Sequence, residues 1–346
     1  MNRNNNLIIR IMAVFSCLAI LYYCYPKSST IQIEGDGAIY IPVKIFGKTY
    51  PFLFDTGSTY TSFNNELLQE LGSRAKINPK DSTIIILYGQ FLEEISAKNY
   101  NPIPIQIGDF RINTSFVGRE TNKWNILGMD VINRFHWLID FKDSTLTISN
   151  LPIEIKNEQL TGLDLINVSE NNMYFYIQFG DSVYRHFLFD TGNHTTGDRT
   201  LSPTEVSMNM NELSIATIVP GQLNKLVDEF GNIGEENYSF TPHSDGIRRL
   251  IFPKLRINGY LMKYVMADFH ENLNQQKERT TTGTLTLCFA TNRFRYLRIN
   301  PETKKVSFFS DGSEDTTNVR QVKYFYNYQM EKTIREMGGR WKPREE

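Results

Sequence analysis

Short runs of apolar residues, each closed by a glycine, a proline or a polar turn, recur along most of the chain. Runs of this kind, rich in β-branched and aromatic residues, predict strands joined by tight turns. The clearest pairs predict hairpins at Ile39–Phe46 with Thr49–Phe54, at Asp81–Gln90 with Phe91–Tyr100, and at Phe135–Asn150 around Lys142-Asp143-Ser144. The predicted fold class is therefore mainly β.

Helical spacing of apolar residues is confined to two segments. Asn64 to Leu71 predicts a short helix that ends at Gly72. Near the end of the chain a helical stripe is formed by Tyr326, Met330, Ile334 and Met337. We expect this second helix to dock on the body, after a polar linker at Ser310–Val319; a helix that binds a partner is the alternative.

The N-terminal run from Leu7 to Tyr25 is apolar except for Arg10 and Ser16. No small-x-small cleavage site follows it, as a signal peptide would require. Val14-Phe15-Ser16-Cys17 matches a lipoprotein site only loosely. We expect a short, uncleaved membrane anchor. Arg3 and Arg10 stay inside, so the body lies in the periplasm or at the cell surface.

Charge and cysteine content exclude some classes of function. Lys+Arg 37 against Asp+Glu 38 in 346 residues implies neither a nucleic-acid partner nor attraction to an anionic membrane. Of the three cysteines only Cys288 lies in the body, so we expect no disulfide there. No HExxH motif, phosphate-binding glycine loop or serine-centred elbow is present, so we expect no metal or other cofactor.

One hexapeptide occurs twice in the chain. Phe52 to Gly57 and Phe187 to Gly192 are identical, and their acids are Asp55 and Asp190. A repeat whose copies lie this far apart indicates two related lobes rather than a solenoid. If the lobes face each other, the two acids meet, one pKa rises, and the pair holds a single proton. One carboxylate can then accept a proton from water while the other donates to a carbonyl oxygen.

Asp55-Thr56-Gly57-Ser58, doubled by Asp190-Thr191-Gly192, resembles the aspartic proteases, pepsin-like and retropepsin-like together. The resemblance implies two similar closed β-barrel lobes with an active-site cleft between them. It implies an endopeptidase with Asp55 and Asp190 as catalytic residues and no cofactor. It also implies supporting active-site loops at Thr56, Gly57, Ser58, Thr191, Gly192 and Asn193.

Two further features are similar to elements of that family. Tyr88-Gly89-Gln90 resembles the tip of the hairpin, called the flap, that closes over a substrate; an ordinary β-turn is the alternative. Ile126-Leu127-Gly128 resembles the second signature, whose glycine passes close behind the catalytic loop. In lobe two we align Pro220-Gly221-Gln222 with the flap tip, and Asn292-Arg293-Phe294 with Asn133-Arg134-Phe135.

Lobe two departs from the family pattern in this alignment. Leu287 stands where Gly128 stands, with Gly283 nearby, and Asn193 replaces Ser58. The span from Asp to Asn is longer by 24 residues (292 − 190 = 102 against 133 − 55 = 78), and we place the excess in an exposed insertion at Asn224–Asp245. An inactive fold that binds peptide or cell-wall ligands in the cleft is therefore the alternative function.

The predicted organisation has four parts: an anchor and linker at 1–30, lobe one at 31–150, lobe two at 151–310 and a tail with a short helix at 311–346. Both motifs lie in one chain, so a monomer suffices. We expect a peptide or protein substrate. We also expect side-chain hydrogen bonds from Ser58 to Asp55 and, less strongly, from Asn193 to Asp190, which would make Asp55 the base.

The N-terminal run predicts where the protein resides. It should fractionate with membranes, and protease added to spheroplasts should digest residues 31 onwards. A body protected from that protease would reverse the predicted topology.

Overall fold

A computed structural model describes residues 28–34, 38–80, 83–88, 93–118, 123–155, 160–181, 183–192, 212–217, 222–233, 238–240, 248–271, 283–312 and 317–337. The predicted anchor at Leu7–Tyr25, the residues Gly89 and Gln90, and Asn193 lie outside these ranges. Within them, no helix has both the length and the apolar character needed to cross a membrane.

The first half of the described chain is built from strands and short helices. In order they are β1 (Ser28–Gln32), β2 (Tyr40–Ile45), β3 (Lys48–Phe54), β4 (Ser62–Phe63), α1 (Asn65–Leu71), a 3₁₀ turn (Gly72–Arg74), β5 (Thr83–Tyr88), β6 (Glu93–Ile107), β7 (Phe110–Gly118), β8 (Asn125–Leu127), α2 (Met129–Ile132), β9 (His136–Asp140) and β10 (Thr145–Ser149). The three predicted hairpins and the helix at Asn64–Leu71 are confirmed; Asn64 caps that helix through its side chain.

The second half repeats this order and adds a helix. It contains β11 (Thr161–Ile166), β12 (Tyr174–Phe179), β13 (Val183–Asp190), β14 (Leu213–Thr217), α3 (Leu223–Gly231), β15 (Tyr238–Phe240), β16 (Arg248–Ile257), β17 (Tyr260–Glu271), β18 (Gly283–Thr286), α4 (Leu287–Thr291), β19 (Tyr296–Asn300), β20 (Lys305–Ser310) and α5 (Thr317–Glu336).

Each half closes into a barrel with the same strand order. In lobe one the order is β2-β3-β8-β4-β7-β6, and β2 pairs again with β6 to close the sheet. In lobe two the order is β12-β13-β18-β14-β17-β16, closed where Phe179 on β12 pairs with Ile257 on β16. The short outer strands β5 and β15 extend the two barrels in equivalent places. The prediction of two similar closed β lobes is confirmed.

A third sheet joins the lobes. Its six strands run in the order β1-β10-β9-β19-β20-β11, three from each half, and β9 pairs with β19 across the middle. Arg295 reinforces this junction, with its Nη2 3.1 Å from Oδ2 of Asp140 in the other lobe.

Aromatic residues tie the two repeat strands to this joining sheet. Phe54, at the end of β3, packs edge-on against Trp137 of β9 at a centroid distance of 5.2 Å. Phe189, its counterpart on β13, packs edge-on against Phe308 of β20 at 5.3 Å. All four side chains are fully buried. The residue before each repeated acid is therefore fixed against the sheet that holds the lobes together.

The strand pairing corrects the alignment of lobe two in the proposed flap segment and in the proposed insertion. The counterpart of the β5–β6 hairpin is β15–β16, so Pro220-Gly221-Gln222 does not match the flap tip; Gln222 instead precedes α3 as its cap. The segment Asn224–Asp245 is not simply an exposed insertion, because Val227 and Phe230 of α3 are buried in the core.

The extra residues of lobe two lie earlier in the chain. Ser62 of β4 and Ser214 of β14 occupy equivalent positions opposite β8 and β18. The spacing from the repeated acid is 62 − 55 = 7 residues in lobe one and 214 − 190 = 24 in lobe two. Seventeen of the 24 additional residues therefore precede β14.

Helix α5 docks on lobe two, as the sequence favoured. Its buried face contacts Ile251 of β16 and Met266 of β17 through Val322, Phe325 and Tyr326. The predicted stripe is right for Tyr326 and Met330 but wrong for Met337, which is 81% exposed. The predicted linker extends too far, because its last residues already belong to the helix, which begins at Thr317.

Replacing Phe325 with alanine should weaken the docking of α5. Phe325 is 5% exposed, whereas the neighbouring Tyr324 is 61% exposed. We expect Phe325→Ala to cost about 3–5 kcal/mol of stability in lobe two, because a buried aromatic ring leaves a cavity. Tyr324→Ala is the matched control and should change little. Equal shifts of the melting temperature in both variants would contradict this packing.

Candidate active site

The two repeated motifs leave their barrels at the same place. Phe54 on β3 pairs in parallel with Leu127 on β8, and Phe189 on β13 pairs in parallel with Leu285 on β18. The repeated acids therefore occupy equivalent positions: Asp55 directly follows β3, and Asp190 is the last residue of β13. Both are half-buried.

Thr56 and Thr191 cross from one lobe to the other and are fully buried. The backbone N–H of Thr56 donates to Oγ1 of Thr191 at 3.0 Å, and the N–H of Thr191 donates to Oγ1 of Thr56 at 3.1 Å. Each hydroxyl also donates to the carbonyl of the residue that precedes the acid of the other motif. The Thr56 hydroxyl donates to the carbonyl of Phe189 at 2.8 Å, and the Thr191 hydroxyl donates to the carbonyl of Phe54 at 2.6 Å. The four bonds satisfy buried backbone groups on both loops at once.

Gly57 and Gly192 bring each loop against the acid of the other lobe. A Cβ added to Gly57 would lie 2.5 Å from Oδ1 and 2.7 Å from Oδ2 of Asp190. A Cβ added to Gly192 would lie 2.6 Å from both carboxylate oxygens of Asp55. Only glycine allows an approach this close. The two carboxylates therefore converge at the boundary between the lobes.

Backbone amides hold each carboxylate in place. Oδ1 of Asp55 accepts from the N–H of Gly57 at 2.8 Å and of Ser58 at 3.1 Å. Oδ1 of Asp190 accepts from the N–H of Gly192 at 3.0 Å. The predicted bond from the Ser58 hydroxyl is wrong: that hydroxyl donates to the carbonyl of Tyr60 at 3.0 Å. The amide of Ser58, rather than its side chain, faces the carboxylate.

Three comparisons with known proteins bear on this arrangement. Residues 41–131, from β2 to α2, match the family model described as "Aspartyl protease". The aspartic proteinase from Irpex lacteus superposes with a TM-score of 0.53 at 12% identity, over 84% of this chain and 99% of that one. Among curated proteins, none matches the chain. The chain has the pepsin-like fold of the aspartic proteases.

Gly128 supports the first motif loop in this pepsin-like fold. A Cβ there would lie 2.6 Å from the carbonyl oxygen of Tyr60 and 2.8 Å from the amide nitrogen of Thr61. The amide of Gly128 donates to Oγ1 of Thr61 at 3.2 Å. Asp130 completes the contact, because its Oδ1 accepts from the N–H of Thr61 at 2.8 Å and from its hydroxyl at 2.7 Å.

Asp130, Thr61 and Asn172 were not predicted as supporting residues. Burial raises the pKa of Asp130, and the Thr61 hydrogen bonds oppose that rise. Oγ1 of Thr59 donates to Oδ1 of Asn172 in lobe two at 2.6 Å, which adds a polar contact between the lobes. The only signal for Asp130 in the sequence is its place two residues after Gly128. Its partner Thr61 is remote from it in the chain, and Asn172 is likewise remote from its own partner Thr59.

The counterpart of Gly128 in lobe two is Thr286, not Leu287. The N–H of Asp55 donates to the carbonyl of Leu127, the residue before Gly128, and Asp190 pairs with Thr286, one residue after Leu285. Helix α4 has five residues where α2 has four. Counting back from Asn292 by the lobe-one spacing therefore stops one residue short, at Leu287. Gly283 lies at the start of β18 opposite Phe187 and does not replace the glycine.

The predicted flap is described only in its two strands. Tyr88 is the last residue of β5 and pairs with Glu93 of β6, while Gly89 and Gln90 lie outside the described ranges. Within the described part of the chain, no group of His, Cys, Asp or Glu side chains is arranged to hold a metal ion.

The crossed hydroxyls should carry much of the stability of the lobe junction. Thr191→Val removes the hydroxyl but keeps the shape, leaving the amide of Thr56 and the carbonyl of Phe54 unpaired. We expect a loss of about 2–4 kcal/mol in the free energy of unfolding, because unpaired buried polar groups cost about 1–3 kcal/mol each. Thr191→Ser keeps the hydroxyl and is the control. Equal stability of the two variants in denaturant would show that these bonds contribute little.

Proposed function

We propose that the protein is an aspartic endopeptidase that hydrolyses peptide bonds with a water molecule activated by Asp55 and Asp190. The observation that carries the proposal is the reciprocal contact of each carboxylate with the glycine of the opposite motif. Two carboxylates that converge in this way favour sharing one proton, since like charges so close do not both ionise. The match to the aspartyl protease family model supports the same reaction class.

The two acids take complementary roles in this proposal. Asp55 receives amide hydrogen bonds from Gly57 and Ser58 on Oδ1, and these bonds favour its ionised form. Asp55 therefore accepts a proton from water, and the hydroxide attacks the amide carbon. Asp190 gives its proton to the carbonyl oxygen, which produces a neutral tetrahedral diol.

Collapse of the diol completes the cycle. Asp55 passes its proton to the amide nitrogen, the carbon–nitrogen bond breaks, and Asp190 recovers a proton from one hydroxyl of the diol. The products are a carboxylic acid and an amine, and both acids return to their starting states. No cofactor or covalent intermediate is required, and one chain supplies both acids, so we propose a monomer that acts on peptides or proteins.

We also propose that the apolar run at Leu7–Tyr25 holds this body at a membrane, outside the cytoplasm. The support is the sequence alone: a run that is apolar except for Arg10 and Ser16, with Arg3 before it and Arg10 near its N-terminal end.

Asparagine at either acid should abolish cleavage, because neither carboxylate alone serves as both base and acid. A peptide mixture analysed by mass spectrometry gives the readout, and Asp109→Asn, at an exposed turn, is the control for loss of one charge. Full activity in Asp55→Asn or Asp190→Asn would remove the pair from the mechanism.

The pH dependence of cleavage gives a separate prediction. Wild-type activity should follow a bell-shaped pH profile. Ser58→Ala should leave both limbs of that profile in place, since the amide of Ser58 and not its hydroxyl faces Asp55.

A further inference from the structure

A buried ion pair lies behind the second motif loop. Glu212, just before β14, and Arg293, just after α4, are 2% and 3% exposed. Nε of Arg293 lies 2.9 Å from each carboxylate oxygen of Glu212, and Nη2 lies 2.8 Å from Oε2. Asn292 adds a third donor through Nδ2, at 3.2 Å from Oε1. The contact is a fork of the kind that fixes geometry as well as charge.

The remaining donors of Arg293 fasten it to β17. Nη1 donates to the carbonyl of Lys263 at 2.7 Å, and Nη2 donates to the carbonyl of Tyr264 at 3.1 Å. Burial raises the pKa of Glu212, and the charge of Arg293 opposes that rise. A buried pair of this kind is often no more stabilising than apolar residues of the same size. Stability by itself therefore does not account for its presence.

The pair connects directly to the strand beside Asp190. The carbonyl of Glu212 accepts from the N–H of Thr286 at 3.1 Å. Thr286 is the residue opposite Asp190 in the parallel pairing of β13 with β18. The position of Glu212 therefore sets the position of the residue that flanks the second acid.

Lobe one makes the equivalent connection with different residues. The register that matches Ser62 with Ser214 also matches Tyr60 with Glu212 and Gly128 with Thr286. In lobe one the missing side chain of Gly128 lets the Tyr60 backbone pack against it. Because Thr286 has a side chain, the backbone of lobe two cannot pack against it as the Tyr60 backbone packs against Gly128. The second motif loop therefore needs another means of support.

We propose that the Glu212–Arg293 pair is the positioning device of the second motif loop, replacing the glycine contact and the Thr61–Asp130 bonds of lobe one. The pair touches no reacting atom. It holds β18 so that Asp190 meets Gly57 and the first motif. This inference rests on the proposed peptidase function for its kinetic test.

The test compares two apolar replacements of buried ion pairs in the same lobe. E212M/R293M removes the proposed device. R249M/D268M is the control; it removes a pair that joins β16 to β17, with Nε 2.7 Å from Oδ1 and both side chains nearly buried. We expect kcat of E212M/R293M to fall about tenfold to a hundredfold with little change in KM, the scale of a small misplacement of a reacting group. The control should keep its kcat.

A conservative variant covers the case in which E212M/R293M does not fold. R293K keeps the buried cation, but an ammonium group cannot reproduce the hydrogen bonds that the planar guanidinium donates to Glu212 and to the carbonyls of Lys263 and Tyr264. It should retain its fold and show a smaller loss of kcat. Wild-type kcat in R293K or in E212M/R293M, or an equal loss in the control, would overturn the proposal.

Failure of the peptidase function would be visible separately, as a wild-type protein that cleaves no peptide. In that case crystal structures of the same variants decide the inference. The distance from the Asp190 carboxylate to Cα of Gly57 should lengthen in E212M/R293M and stay unchanged in R249M/D268M. If E212M/R293M does not fold, R293K takes its place in this comparison. An unchanged distance in the variant analysed would overturn it.

Discussion

The structure depends on a reciprocal set of hydrogen bonds between two loops that belong to different lobes. Thr56 and Thr191 each use a hydroxyl to satisfy an amide and a carbonyl of the opposite motif. These bonds are buried, so water cannot replace them if they break. Because they run in both directions, neither acid can move without disturbing the loop that carries the other.

The rest of the fold brings those loops to the same point. The six-stranded sheet pairs β9 with β19 and so joins the halves of the chain. Phe54 and Phe189 pack on that sheet immediately before each acid. The parallel neighbours β8 and β18 fix where the motif strands end. Glycine at 57 and 192 then removes the last steric obstacle between the carboxylates.

The lobes share this geometry but support it with different chemistry. In lobe one the supporting carboxylate is Asp130, on helix α2, and it accepts hydrogen bonds from Thr61. In lobe two the supporting carboxylate is Glu212, just before β14, and its partner Arg293 lies just after helix α4. The presence of Thr286 in place of glycine makes the first solution unavailable to the second lobe. Equivalent strands therefore reach equivalent positions through a glycine contact in one lobe and a buried ion pair in the other.

The sequence by itself determined the repeat, the mainly β class, most of the hairpins and the expectation that Asp55 and Asp190 meet. These features follow from local patterns: alternation of apolar residues, turn residues, and six identical letters in two places. It also determined the helix at Asn64–Leu71, because capping is a local interaction.

Only the tertiary structure decided which residues support the site. The helix α4 is one residue longer than α2, so counting along the chain placed Leu287 rather than Thr286 behind Asp190. The hydroxyl of Ser58 donates to the carbonyl of Tyr60, and the bond from Ser58 to Asp55 comes from the backbone amide, which residue type alone does not reveal. Glu212 and Arg293 are remote from each other in the chain and carry no local signal. Their pairing follows from the packing of β14 against β17 and β18, which brings distant positions into one desolvated space.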